Sequence, residues 1–152
     1  MGKLVLYLDM DNVLVDFQSG IDRLSAEEAK RYEGDFDDAP GIFSRMDPMP
    51  GAITAFAELA DLFDTYILST APWKNPSAWS DKRLWVDAHL GERAQKRLIL
   101  SHHKNLNRGD YLVDDRAEHN GVELFEGEHV HFGSEAFPNW KAVLRYLRGK
   151  AR

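Results

Sequence analysis

"LVLYLDMDNVLVDF", residues 4–17, is apolar or aromatic at every position from Leu4 to Leu8 and then turns abruptly acidic, with Asp9, Asp11 and Asp16 and with Asn12 among them. A run without polar alternation is the pattern of a strand buried on both faces, as the strands of a parallel sheet are. Burying a carboxylate costs several kcal/mol unless it is paired, hydrogen-bonded or held by a metal. A core strand that delivers two carboxylates to its own tip, two residues apart, therefore implies something there to receive them.

Comparable short runs recur at 65–69 (TYILS), 97–101 (RLILS) and 111–113 (YLV), with a weaker one at 129–132 (HVHF). Helical patterns lie between them. In 52–63, Ile53, Phe56, Leu59, Ala60 and Phe63 share one face behind Pro50-Gly51. In 80–91, Ser80 reads as the N-cap, and His89 and Gly91 suit the C-terminal end. In 138–148, Trp140, Val143, Leu144 and Leu147 fall together. Strands separated by helices predict a three-layer α/β fold, a parallel sheet with helices on both faces. Residues 17–49 break the alternation: a helix is expected over 21–32, then the acidic stretch "EGDFDDAPGIF". A structureless loop of that length is uncommon inside a compact domain, so the segment reads as a small cap over a core made of 1–16 and 50–152.

Composition narrows the function. A formal charge of −6 argues against a grip on nucleic-acid polymers, which use a basic face. The absence of cysteine rules out disulfides and thiolate zinc sites. Residues 1–8 resemble neither a signal peptide nor a myristoylation motif, and no run approaches the ~20 apolar residues of a membrane span. The expectation is a soluble, cytoplasmic protein; the oligomeric state is open between monomer and homodimer.

In open parallel sheets, ligands bind beyond the carboxyl ends of the strands. Four segments send polar residues to that edge: Asp9 and Asp11, Ser69 and Thr70, Lys104, and Asp114 with Asp115. Singly, each has a plain explanation as a turn, a cap or a solvated charge. Jointly they make chemical sense. A cluster of carboxylates repels itself unless a cation is present, and all-oxygen ligation suits Mg²⁺. A lysine and hydroxyls opposite would cradle a phosphoryl group. An Asp carboxylate can attack phosphorus, and a second Asp two residues on can serve as acid and base.

"DMDNV", "LSTAP", the Lys of "SHHKN" and "VDD", in that order, resemble the four motifs of the haloacid dehalogenase superfamily. "DMDNVLVDF", "YILSTAP", "DKRLWVDAHLG", "SHHKNLNRGDYLVDDR" and Asn120-Gly121 are similar, more narrowly, to the 5′(3′)-deoxyribonucleotidase family, from Leu4 to about Trp140. The resemblance implies a Rossmann-like sheet with a small helical cap and Mg²⁺-dependent hydrolysis of nucleoside monophosphates. It implies Asp9 as nucleophile and metal ligand, Asp11 as general acid/base that also offers its carbonyl to the metal, and Ser69 with Thr70 on the phosphoryl group. Lys104 would steady the charge, Asp114 would complete the metal shell, and Asp115 would share that task or orient Lys104. Lys82 matches a lysine near the phosphate, and Phe17 an aromatic lining the nucleobase pocket. Two departures stand out: Asn12 replaces a frequent Gly, and His102 replaces a common Arg two residues before the lysine.

Other features have plainer readings. His129 and His131 lack a third ligand and read as an exposed strand face. Phe36, Phe43, Trp73 and Trp79 flank the cap and the loop after the second motif, where each is either core or a stacking surface for a base. Two functional alternatives remain: a phosphatase of the same superfamily for another small phosphometabolite, and a non-catalytic receiver-like phosphate-binding module. Such a module has no use for Asp11 or a cap, and both are present.

Overall fold

The computed structural model describes residues 2–152. Its centre is a five-stranded, wholly parallel sheet of β1 (Val5–Leu8), β4 (Asp64–Ser69), β5 (Leu98–Leu100), β6 (Tyr111–Asp114) and β7 (Glu128–His131) in the order β5-β4-β1-β6-β7. β1, the strand of the opening stretch, is the central one. All five apolar runs of the sequence are strands.

The strand order dictates which face each connection covers. From β1 the chain steps in one direction, through α3 (Ala52–Leu62) to β4 and through α4 (Pro76–Leu90) to β5. Right-handed crossovers taken repeatedly in one direction leave their helices on one face. The chain then reverses to β6 and β7, and the final α5 (Trp140–Arg148) packs against α3. On this first face Leu6, Leu8, Ile67, Val113 and Val130 meet Phe56, Leu59, Trp85, Val143 and Leu147. The opposite face, formed by Tyr7, Leu68 and Leu112, is closed by Val122 and Phe125. The three-layer α/β class holds, with one helical layer reduced to the single 3-10 turns of 104–106 and 122–124.

The reversal makes β1 and β6 the switch point, where a crevice opens at the strand ends. Behind it, the turn after Asp9 is tightly drawn: the amides of Val13, Leu14 and Val15 all point at the Met10 carbonyl. Asn12 stands there at φ 62°, which explains why Asn serves in place of Gly. Trp140 locks this turn from α5 by donating its indole N–H to the Val13 carbonyl at 2.8 Å.

The insert is framed by a two-residue antiparallel ladder, β2 (Val15–Asp16) on β3 (Asp47–Pro48). Within it the expected helix over 21–32 is two helices, α1 (Phe17–Asp22) and α2 (Ala26–Arg31). The break has a local cause. Ser25 forms a capping box with Glu28, its hydroxyl accepting from the Glu28 amide at 3.1 Å while the Glu28 carboxylate accepts from the Ser25 amide at 3.0 Å. Such a box stabilises a fresh helix start by about 1 kcal/mol.

α4 likewise starts earlier than its apolar pattern implies. The N-cap is Asn75, with Pro76 in the first turn, and Ser80 lies inside the helix. Pro is favoured there because its missing N–H would have no helical partner. The Asn75 side chain is spent on the insert instead: its amide donates to the carbonyls of Asp37 and Ala39 at 2.9 and 3.0 Å. Among the described residues no helix is long and apolar enough to cross a membrane.

Candidate functional site

Asp9 follows β1 directly and its amide donates to the Val113 carbonyl at 2.9 Å, so the pairing of β1 with β6 itself sets the carboxylate at the crevice. Asp114 closes β6, and Lys104 comes from the 3-10 turn after β5. The Lys104 Nζ donates to Asp9 Oδ1 at 3.0 Å and to Asp114 Oδ2 at 2.6 Å. All three are nearly enclosed, with side-chain exposures of 4% for Lys104, 9% for Asp9 and 1% for Asp114. Lys104 is held in turn: its amide donates to the Asn120 carbonyl at 2.7 Å. Gly121, at φ 80°, lies so close to the Asn105 side chain that a Cβ there would collide with it. Asp115 adds a third carboxylate; one oxygen each from Asp9, Asp114 and Asp115 lies within 4.8 Å of the others. The sequence left open whether Asp115 or another acid orients Lys104; the acids that touch it are Asp9 and Asp114.

Electrostatics follow from this crowding. Burial, then repulsion from Asp9 and a hydrogen bond with it, pushes Asp115 up to about 7. Burial and Asp9 also push Asp114 up, with Lys104 opposing. Burial works against the Lys104 ammonium, yet Asp9 and Asp114 more than offset it and its pKa lies above the ordinary lysine value.

Asp11 occupies a different place. Its Oδ2 accepts from Lys82 Nζ at 3.2 Å, while its Oδ1 is buried without a partner. Burial pushes this carboxyl up, with Lys82 pulling against it. Lys82, on α4, is completely buried and also reaches Ser69 Oγ at 2.9 Å and the Thr70 carbonyl at 2.5 Å, beneath the Phe43 ring at 4.6 Å. Four acids against two ammoniums leave two negative charges in excess, and three hard oxygen donors face one spot. This donor set fits a divalent ion such as Mg²⁺, with Asp9, Asp114 and Asp115 as the residues that would hold it.

A cavity of about 120 Å³ lies here, walled by Asp9, Asp11, Thr70, Lys104, Asp114 and Asp115, with Asp37 of the insert and Arg116 also on its wall. Not every expected site residue borders it. Ser69 is buried just behind, and Lys82 lies deeper still. Phe17 is half-buried and packed edge-on against Phe43, ring centres 5.8 Å apart, away from the cavity. Of the residues the sequence reading missed, Asp37 and Arg116 are exposed loop charges whose local pattern holds no signal for their position. His129 and His131 each bond a carbonyl of the acid pair, that of Asp114 at 3.0 Å and that of Asp115 at 2.9 Å. A carbonyl only accepts, so each Nε2 carries the hydrogen. These histidines brace the turn that holds the two acids.

A parallel sheet whose strand ends bring a D-x-D pair, hydroxyls, a lysine and a second acid pair to one cavity defines a phosphatase of the haloacid dehalogenase class. Comparison with known proteins narrows this. Residues 26–145 match the family model described as "5' nucleotidase, deoxy (Pyrimidine), cytosolic type C protein". The chain is 62% identical over 145 residues to a protein of Vibrio phage KVP40 assigned as a 5′(3′)-deoxyribonucleotidase, covering 95% of this chain and 85% of that one. It is 32% identical to a protein of Bordetella pertussis with the same assignment, over 93% of this chain and 95% of the other. It is 30% identical to the human cytosolic-type 5′(3′)-deoxyribonucleotidase, over 95% of each chain. The chain belongs to the 5′(3′)-deoxyribonucleotidase family. A solved haloacid dehalogenase-like hydrolase from Burkholderia xenovorans shows a looser likeness, with a TM-score of 0.44 and 20% identity over 76% of this chain and 73% of that one.

Proposed function

We propose that the protein is a Mg²⁺-dependent phosphomonoesterase that releases phosphate from deoxyribonucleoside 5′- or 3′-monophosphates through an aspartyl-phosphate on Asp9. The observation that carries the reading is the placement of Lys104 between Asp9 and Asp114 on the wall of one strand-end cavity, with Asp115 beside them. A volume of about 120 Å³ is below the 300 Å³ of a typical small-molecule pocket, so it suits a phosphoryl group and leaves the nucleoside outside. The family membership and the printed names of the relatives supply the nucleotide and the cytosolic setting.

In this mechanism Asp9, Asp114 and Asp115 hold the metal, which offsets their charge and that of the phosphate. An Asp9 carboxylate oxygen attacks phosphorus while the bond to the sugar oxygen breaks. Asp11, whose environment favours the protonated acid, gives its proton to that oxygen. Water then attacks the aspartyl-phosphate and yields its proton to Asp11, so inorganic phosphate leaves and Asp9 is restored. Lys104 and the Thr70 segment steady the charge on the phosphoryl oxygens. Lys82 holds Ser69 and Asp11 in place from behind. Residues 17–49 act as the cap over the core of 1–16 and 50–152.

The test is phosphate release from a panel of deoxyribonucleotides, ribonucleotides and sugar phosphates, with and without a chelator. Activity on deoxyribonucleotides that disappears with the chelator and returns with Mg²⁺ is expected. Asp9→Asn should lower kcat by at least about 10³-fold, since the nucleophile acts as part of a unit. Turnover by Asp9→Asn at the wild-type rate would end the covalent mechanism, and a preference for sugar phosphates would move the substrate.

A further inference from the structure

If the cavity takes only the phosphoryl group, the nucleobase needs a surface of its own. Phe17 does not offer one, because its ring is engaged with Phe43 and partly buried. The human relative is also a poor guide. Its alignment needs 191 positions to cover 95% of this 152-residue chain, so it has about 45 residues with no counterpart here. The subsite must be read from what this chain itself presents at the cavity mouth.

Pro72 is on the cavity wall, and the next residue, Trp73, is 80% exposed, the highest value among the large apolar side chains left at the surface. Leaving an indole in water is unfavourable in proportion to its area, so an isolated exposed Trp beside a substrate cavity needs an explanation. Trp73 is not loose, however. Its ring meets Trp79 at 6.5 Å and 76°, and His102 at 6.0 Å and 69°, both edge-to-face; Trp79 meets His102 at 5.8 Å. The supporting groups are pinned to the loop. The Trp79 indole donates to the Pro72 carbonyl at 3.3 Å, and His102 Nε2–H donates to the Ala71 carbonyl at 2.9 Å. Two residues on, Asn75 ties the loop to the insert. The result is a propped aromatic face at the rim, with little left to order when a ring stacks on it.

We propose that Trp73, buttressed by Trp79 and His102, is the nucleobase platform of this enzyme. The inference rests on the nucleotidase reading given above. It also explains His102 standing where relatives commonly carry Arg: here that residue braces an aromatic shelf instead of sending a cation to the phosphate. A single open shelf recognises the π-face that every base has, so it favours the larger purine rings and discriminates weakly among bases.

The experiment compares kcat/KM for deoxyadenosine and thymidine monophosphates with that for 2-deoxyribose 5-phosphate, which lacks the base. Trp73→Ala should lower the ratio of nucleotide to baseless substrate by about tenfold or more, mostly through KM, because stacking on an aromatic side chain is worth about 1–3 kcal/mol per base. Trp73→Phe should recover most of it. A ratio unchanged in Trp73→Ala while the wild type hydrolyses nucleotides would overturn the platform and leave the nucleotidase reading standing. If the wild type hydrolyses no nucleotide, that reading fails, and deoxyadenosine quenching of the tryptophan fluorescence then decides. Quenching lost in Trp73→Ala would still support the platform; no quenching of the wild type would overturn it.

Discussion

Two buried lysines face the same set of acids and do opposite things. Lys104 sits among carboxylates carried by neighbouring strands of the sheet, and its partners Asp9 and Asp114 are as enclosed as it is. Lys82 comes from a helix and is the more deeply buried. It shares itself among Asp11, which keeps a side-chain exposure of 33%, the Ser69 hydroxyl, the Thr70 carbonyl and the Phe43 ring of the insert. The first is a charge balance inside the cavity, built on hydrogen-bonded strands. The second is a joint between core and cap. Depth of burial therefore does not rank these residues by closeness to chemistry; the partners do.

Substituting each lysine with an isosteric apolar residue should separate the two roles. Lys104→Met leaves Asp9, Asp114 and Asp115 crowded together with no cation from the protein. Removing one side of a buried ion pair costs about 3–5 kcal/mol, so a comparable loss in denaturant titration is expected without divalent metal. Mg²⁺ should restore more stability to this variant than it adds to the wild type, and equal gains would argue against a cation among the three acids. Lys82→Met should cost less, about 2–3 kcal/mol, because Asp11 reaches water once released. Mg²⁺ should not repair it, since the lost contacts lie outside the acid triad.

A smaller effect is expected where the cap is tied to the core by neutral groups. Asn75→Ala removes two hydrogen bonds to the carbonyls of Asp37 and Ala39 and leaves the latter, on a fully buried residue, without that partner. A loss of about 1–3 kcal/mol is expected. Faster hydrogen exchange should be confined to residues 36–45 and the start of α4; uniform acceleration would mean that the cap is not a separately tied unit.

The smallest effect concerns the surface of the cap. Glu28 is held down to about 2 by its bond to Arg45, then by the Ser25 amide. A carboxyl whose folded pKa is depressed contributes stability above its unfolded value near 4.5, and that contribution fades as pH falls towards 2. Glu28→Gln should flatten the thermal midpoint across that window and change it little at pH 7. Both groups are exposed to solvent, so salt should mimic the mutation.

Much of this was legible from residues. Five unalternating apolar runs have one economical arrangement, a parallel sheet, and acids at strand ends that would be costly without a cation announce a site. What was illegible is instructive. The helix expected over 21–32 is broken by a capping box that Ser25 and Glu28 do display, but their signal competes with helix formers on either side. Ser80 looks like a cap because it precedes an amphipathic stretch; the real start, at Asn75-Pro76, is set by where the cap needs an amide donor. Nothing in the chain around Phe17 says that Phe43 will claim its ring, and nothing around Trp73 says that its ring will be left free.

By itself, then, the chain determined the strands, the acids at their tips and the lysine that answers them, because periodicity and the cost of a buried charge are local and apply whatever the packing. The tertiary structure alone decided that Lys104 lies between Asp9 and Asp114, that Lys82 turns to Asp11 and the cap, and that Trp73 stands open at the rim. Those outcomes depend on which distant groups arrive within a few ångströms of one another. Strand order and crossover direction set that distance, and spacing along a sequence does not.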